Sequence, residues 1–76
     1  VGITVVLGSG DFVHDTKSGD IGFLISKHFS RVQGRADGFV LIVWRIYWCR
    51  DGDSRYTEES IINMIRTGHL VLHAGN

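Results

Sequence analysis

The chain has no proline and a single cysteine. It has no net charge either: eight lysines and arginines stand against eight aspartates and glutamates in 76 residues. Each absence excludes something. One thiol, Cys49, cannot build the disulfide framework by which small secreted domains compensate for a thin core. It fits a reducing compartment, and no charged segment followed by an apolar run and a cleavage site marks a secretory signal. The expectation is a cytoplasmic protein. No apolar run approaches the roughly 18 residues that a membrane-crossing helix needs. A neutral total offers no surplus of cations for non-specific nucleic-acid binding. The length excludes a dinucleotide-binding fold and any enzyme built around an interdomain cleft, and it implies one domain.

What is present argues for a folded β protein. Hydrophobic residues make up 43% and aromatics 11%, too many for a disordered chain. Ordering costs roughly 1.5 kcal/mol per residue, and burial in so small a chain only about cancels that. With no disulfide and no evident metal cluster, the usual remedies left are tight packing and oligomerisation.

With proline absent, ten glycines punctuate the apolar runs. Val1 to Leu7 is apolar and β-branched, a strand or an N-terminal arm, and Gly8-Ser9-Gly10 breaks it. A short run at Phe12 and Val13 ends at His14-Asp15, before the turn residues Asp15 to Asp20. Ile21 to Phe29 reads as a strand, with Ile21, Phe23 and Ile25 alternating against Gly22 and Leu24. Gly22 inside it marks a bend or a close backbone approach. Ser30 to Gly38 is a polar loop. Phe39 to Cys49 is β-branched and aromatic, hence a strand. Asp51-Gly52 is a hairpin signal, and Ser54 to Tyr56 is the return strand. The period then changes. Thr57 is a helix N-cap, Glu58 and Glu59 face the positive dipole end, and Ile61, Ile62 and Ile65 form an apolar stripe. Arg66 and Gly68 close a helix expected over Glu58 to Thr67. His69 to His73 returns to strand, and Ala74 to Asn76 is a tail.

These motifs carry a resemblance. Gly10-Asp11-Phe12-Val13, Asp15 and Ser18-Gly19-Asp20-Ile21-Gly22 resemble the opening hairpin of small SH3-like barrels. Val43-Trp44 to Tyr47-Trp48, the Asp51-Gly52 turn and Tyr56-Thr57-Glu58-Glu59-Ser60-Ile61 resemble the rest. More narrowly, the chain is similar to small SH3-like proteins of tailed, including marine, bacteriophages. The resemblance covers most of Gly10 to Leu72 and assigns no functional residue. It implies an SH3-like antiparallel barrel over 10–73 with one short helix before the last strand; residues 1–9 read as an N-terminal arm or extra strand, and 74–76 as a tail. A phage origin would place the protein in a bacterial host's cytoplasm. The helix is longer than the single turn of such barrels, and Val1 to Leu7 has no counterpart in them. The acidic and aromatic signature of proline-peptide binding is not recognisable.

Catalytic and metal-binding patterns are weak. Gly8-Ser9-Gly10 after an apolar run opens a dinucleotide fingerprint, but Val13 stands where its third glycine belongs. His69 and His73 share a strand face roughly 13 Å apart, too far for one metal ion. Cys49 has no orienting partner in the sequence. Asp51-Gly52-Asp53 lacks the ligand spacing of a calcium loop. The expectation is a non-enzyme without cofactor or metal.

Two surfaces stand out instead. Phe39, Leu41, Val43, Arg45, Tyr47 and Cys49 alternate with Val40, Ile42, Trp44, Ile46 and Trp48, and both faces are apolar over the first half. A small barrel has one interior, so the outward face is covered by the helix, by the N-terminal arm or by another subunit. Phe39, Leu41, Val43, Arg45, Tyr47 and Trp48 are therefore the candidate interaction surface, with a homodimer as the first expectation and another protein partner as the second. Residues 27 to 55 also carry six cations against three carboxylates. Arg31, Arg35, Arg45, Trp48 and Arg50 are the candidate nucleic-acid contacts, rings on bases and guanidinium groups on phosphates. A solvated loop over a tryptophan core explains the same residues more simply, so nucleic acid ranks behind self-association.

Overall fold

A computed structural model describes residues 5–31 and 40–75. Over these the chain forms β1 (Phe12–Asp15), β2 (Ile21–Arg31), β3 (Val40–Trp48), β4 (Gly52–Thr57), α1 (Glu58–Arg66) and β5 (Leu70–His73). Every strand pairing is antiparallel, and the strands lie in the order β4-β3-β2-β1-β5. The architecture is mainly β: five antiparallel strands in one open sheet, with a single short helix among the described residues. The expected barrel closure is not formed. Closure would pair β4 with β5, and α1, which joins them in sequence, touches both of these edges and β3. The expected N-terminal strand falls partly on residues 1–4, outside the described residues. Val5, Val6 and Leu7 form no strand, although Leu7 is buried and Val5 packs against the core.

The turns follow from their side chains. Asp15 Oδ1 accepts the backbone N–H groups of Lys17 at 2.8 Å and Ser18 at 3.1 Å, which folds the β1–β2 turn. Gly52 begins β4 at φ +79, a conformation that other residues enter only at a cost, so the Asp51-Gly52 signal is met. Thr57 caps α1, its Oγ1 accepting the Ser60 N–H at 3.2 Å, with Glu58 and Glu59 in the first turn and Arg66 in the last. Asp20 is buried, and its carboxylate accepts the N–H groups of Ile21 and Arg50. One side chain thereby ties the β1–β2 turn to the β3–β4 turn.

The core consists of Leu7, Val13, Leu24, Trp44, Ile46, Trp48, Ile61 and Leu70. It lies between α1 and one face of the sheet. Register decides which side chains share that face. Trp48 pairs with Gly22, Gly22 with Val13 and Val13 with Leu72, and all four belong to the inner row. Gly22 is the permissive member. A Cβ placed there would lie 2.7 Å from Ile46 Cγ2 and 2.8 Å from Trp48 Cε3, well inside van der Waals contact. The missing side chain lets the Trp48 indole lie flat on β2. Leu24 then points inward, while Ile21 and Phe23 point out.

Ile25 is a bulge. Leu24 pairs with Ile46 and Ser26 with Arg45, so one extra residue stands in β2. The slip exchanges the faces of the outer half of β2. Lys27, Phe29 and Arg31 share the side of Trp44, Ile42 and Val40, whereas Ser26, His28 and Ser30 share the side of Arg45, Val43 and Leu41. β4 pairs no further along β3 than Val43, and β1 pairs no further along β2 than Phe23. Beyond the pair Phe29 and Ile42, the two strands run on as a two-stranded ribbon. β2 thus extends over Ser30 and Arg31, which the sequence places in a loop.

The Gly22→Ala variant tests the contact that sets these faces. Overpacking of this kind costs about 1–3 kcal/mol. Urea unfolding should show a lower midpoint for Gly22→Ala with an unchanged slope.

Candidate interaction surface

The outward face of the sheet is built from two rows. Tyr47, Phe23, Phe12 and His73 stand opposite one another across β3, β2, β1 and β5. Ile21, His14 and Val71 form the second row across β2, β1 and β5. The rings of the first row touch. Phe12 and Phe23 have centroids 6.1 Å apart at 46°, and Phe12 stacks on the His73 imidazole at 4.9 Å and 15°. Tyr47 is exposed to 49%, Val71 to 42% and Phe23 to 41%, while Phe12 and His14 are half-buried. Ile25 at the bulge is exposed as well. Over these four strands the two rows contain no lysine, arginine, aspartate or glutamate, and the first row ends on the edge strand β4 at Asp53, directly opposite Tyr47.

Charge begins at the margin, on β3 and β4. Arg45 and Arg55 are directly opposite, a repulsive pair on a sheet face. Asp53 relieves it by accepting from Arg45 Nε at 3.1 Å and Nη2 at 2.7 Å. The Asp53 carboxyl is held below its ordinary range by the Arg45 hydrogen bonds, with smaller help from the Arg45 and Arg55 charges. The pair is well exposed, so it sets the rim's geometry more than its stability.

The expected surface residues divide. Leu41, Val43, Arg45 and Tyr47 lie on the outward face of β3. Trp48 does not join them. It is 7% exposed and inward, set against Gly22 and edge-on to Tyr56. The alternation that puts Tyr47 outside places Trp48 inside. Its indole N–H has no hydrogen-bond partner among the described residues. Phe39 lies outside the described residues.

The expected nucleic-acid residues are not brought together. Arg31 stands on the ribbon, Arg45 is paired with Asp53, and Trp48 is buried. Arg50 is in the β3–β4 turn, where Nη1 donates to Ser18 O at 3.4 Å. Arg35 lies outside the described residues. The histidines also separate. His69 precedes β5 and its Nε2 is 3.7 Å from Asp15 Oδ2, while His73 stacks on Phe12. Among the described residues no group of three or more histidine, cysteine, aspartate or glutamate side chains could hold a metal ion. Cys49 is exposed in a turn. No described helix is long and apolar enough to cross a membrane.

Reading the sequence missed Phe12, Phe23, Ile21, Val71 and His73 as one surface. Their apolar character was visible, but only register brings four separate strands into two rows. Comparison with family models, with curated proteins and with solved structures finds no match to this chain.

Beneath the site, Asp15 anchors the turn end of β1 and β5. Its carboxyl is held below the ordinary range by the Ser18 and Lys17 backbone N–H groups, with His69 adding a smaller attraction. A carboxylate depressed in the folded state contributes stability above its unfolded pKa and loses it as pH falls through the folded value. Asp15→Asn should therefore melt lower than wild type at neutral pH. The gap should close once pH drops below the carboxylate range, in a series of thermal melts.

Proposed function

We propose that the protein is a non-catalytic interaction module of SH3-like kind that self-associates through the outward face of its sheet. The strand order and the helix between β4 and β5 support the SH3-like reading. The single exposed thiol, Cys49, supports a cytoplasmic setting.

The observation that carries self-association is the pair of charge-free rows. Exposed apolar patches of this extent are uncommon on monomers. Interface centres are enriched in aromatic residues and depleted of charge. A second copy fits better than another partner for two reasons. The chain carries no net charge, so two copies approach without long-range repulsion. Its own core holds only eight buried apolar side chains among the described residues, and a face-to-face sheet contact adds a second buried layer roughly 10 Å thick. A two-fold axis through the rows would bring each ring row onto its mate and leave the Arg45–Asp53 pairs at the rim. A nucleic-acid strand on this face would find rings but no cation among them.

Sedimentation velocity over a concentration series tests this. Wild type should sediment as a dimer at high micromolar concentration. Phe23→Lys and Tyr47→Lys, at exposed positions, should be folded monomers, and Tyr47→Phe should remain dimeric. A monomeric wild type, or dimers indifferent to both lysine variants, would overturn the reading.

A further inference from the structure

We propose that the outward sheet face is an acid-sensitive switch, which holds two copies together while His14 and His73 are neutral and releases them when these take up protons. The inference rests on the self-association proposed above and names what regulates it. His14 is the middle member of the second row, opposite Ile21 on β2 and Val71 on β5. It is half-buried within one copy, so a second sheet laid on this face removes the water it has left. His73 ends the first row, its imidazole stacked on the Phe12 ring at 4.9 Å and 15°. Over β1, β2, β3 and β5 these two are the members of the rows whose charge changes between about pH 5 and 8.

An imidazolium carried into such a face needs a carboxylate. The carboxylates nearby are taken up elsewhere. Asp15, next to His14 in the chain, accepts the Lys17 and Ser18 N–H groups and lies 3.7 Å from His69 Nε2. Asp11, at the other end of β1, accepts the N–H groups of Gly8 and Gly75. Asp20 is buried and accepts from Ile21 and Arg50. Asp53, where the first row ends on β4, is held by Arg45, and Arg55 stands opposite Arg45. That margin is positive in sum and repels an imidazolium of the other copy. Glu58, Glu59 and Arg66 belong to α1, which packs through Ile61 on the opposite face of the sheet. Lys17, exposed in the β1–β2 turn, adds like charge.

The paired state therefore disfavours the protonated imidazoles. Linkage fixes the sign: pairing is fully present above the ordinary imidazole pKa of about 6.5 and is lost as pH falls below it. Keeping one imidazole per copy neutral, that of His14 alone, raises the dissociation constant about 100-fold from about pH 7.5 to about pH 5.5, roughly tenfold for each copy. His73, on the edge strand β5, adds to this.

Sedimentation velocity at these two pH values is the test, with circular dichroism to confirm folding at both. Wild type should be dimeric at the higher pH and bind itself about 100-fold more weakly at the lower. The loss should persist at about 0.5 M salt, which screens repulsion between whole molecules but does not remove the cost of burying a charge. The double variant His14→Gln/His73→Gln should pair nearly equally well at both pH values. His69→Gln, which removes a histidine whose charge Asp15 meets within one copy, should dissociate in acid as wild type does. A wild type equally dimeric at both pH values, a double variant as acid-sensitive as wild type, or an acid effect abolished by salt would overturn the switch. A wild type already monomeric at the higher pH would instead overturn self-association itself, and the switch with it.

Discussion

The contact between Gly22 and the Trp48 indole is the constraint on which the rest of the structure depends. A strand has two faces, and a one-residue change of register exchanges them. In β2 the exchange would put Phe23 and Ile21 inside and Leu24 outside. Trp48 needs a flat place on the neighbouring strand, and Gly22 is the residue that offers one. Once that indole is inside, Leu24, Ile46 and Val13 follow it into the core. The rings of Phe23, Tyr47 and Phe12 are left on the far side. The exposed aromatic row is thus a consequence of how the core is packed.

The bulge at Ile25 is the second decision, and it acts on the other half of the same strand. Without it, Lys27, Phe29 and Arg31 would continue the outward face, and charge would run into the apolar rows. With it, they turn to the Trp44 side, and the outward face continues as Ser26, His28 and Ser30. One extra residue separates an apolar surface from a basic one within eleven residues of β2. Bulges often re-aim side chains at sites of function, and here the bulge leaves two surfaces of different chemistry on one small sheet.

Much of the fold was legible in the sequence. Helix α1 could be read from Thr57, the paired glutamates, the isoleucine stripe and Gly68, because each feature acts within a few residues. The strands could be read from β-branched and aromatic content and from glycine punctuation. Three things could not be read. The bulge leaves no signature in an apolar run such as Ile21 to Ile25. The open sheet depends on whether the edge strands β4 and β5, on either side of α1, pair with each other, and no local feature of these segments decides that. The surface rows draw Phe12, Phe23, Tyr47 and His73 from four strands, and only pairing aligns them. Trp48 shows the limit most directly: an aromatic residue beside an exposed one reads as surface until alternation is anchored by a partner such as Gly22.

Nuclear magnetic resonance of a mixed sample, half isotope-labelled and half not, tests the central claim most directly. Contacts between protons of different copies can then be told from those within one copy. The account predicts intermolecular contacts among the Tyr47, Phe23 and Phe12 rings, and none to Trp44 or Trp48. Intermolecular contacts that involve the tryptophans, or none at all at a concentration where the protein is abundant, would contradict it.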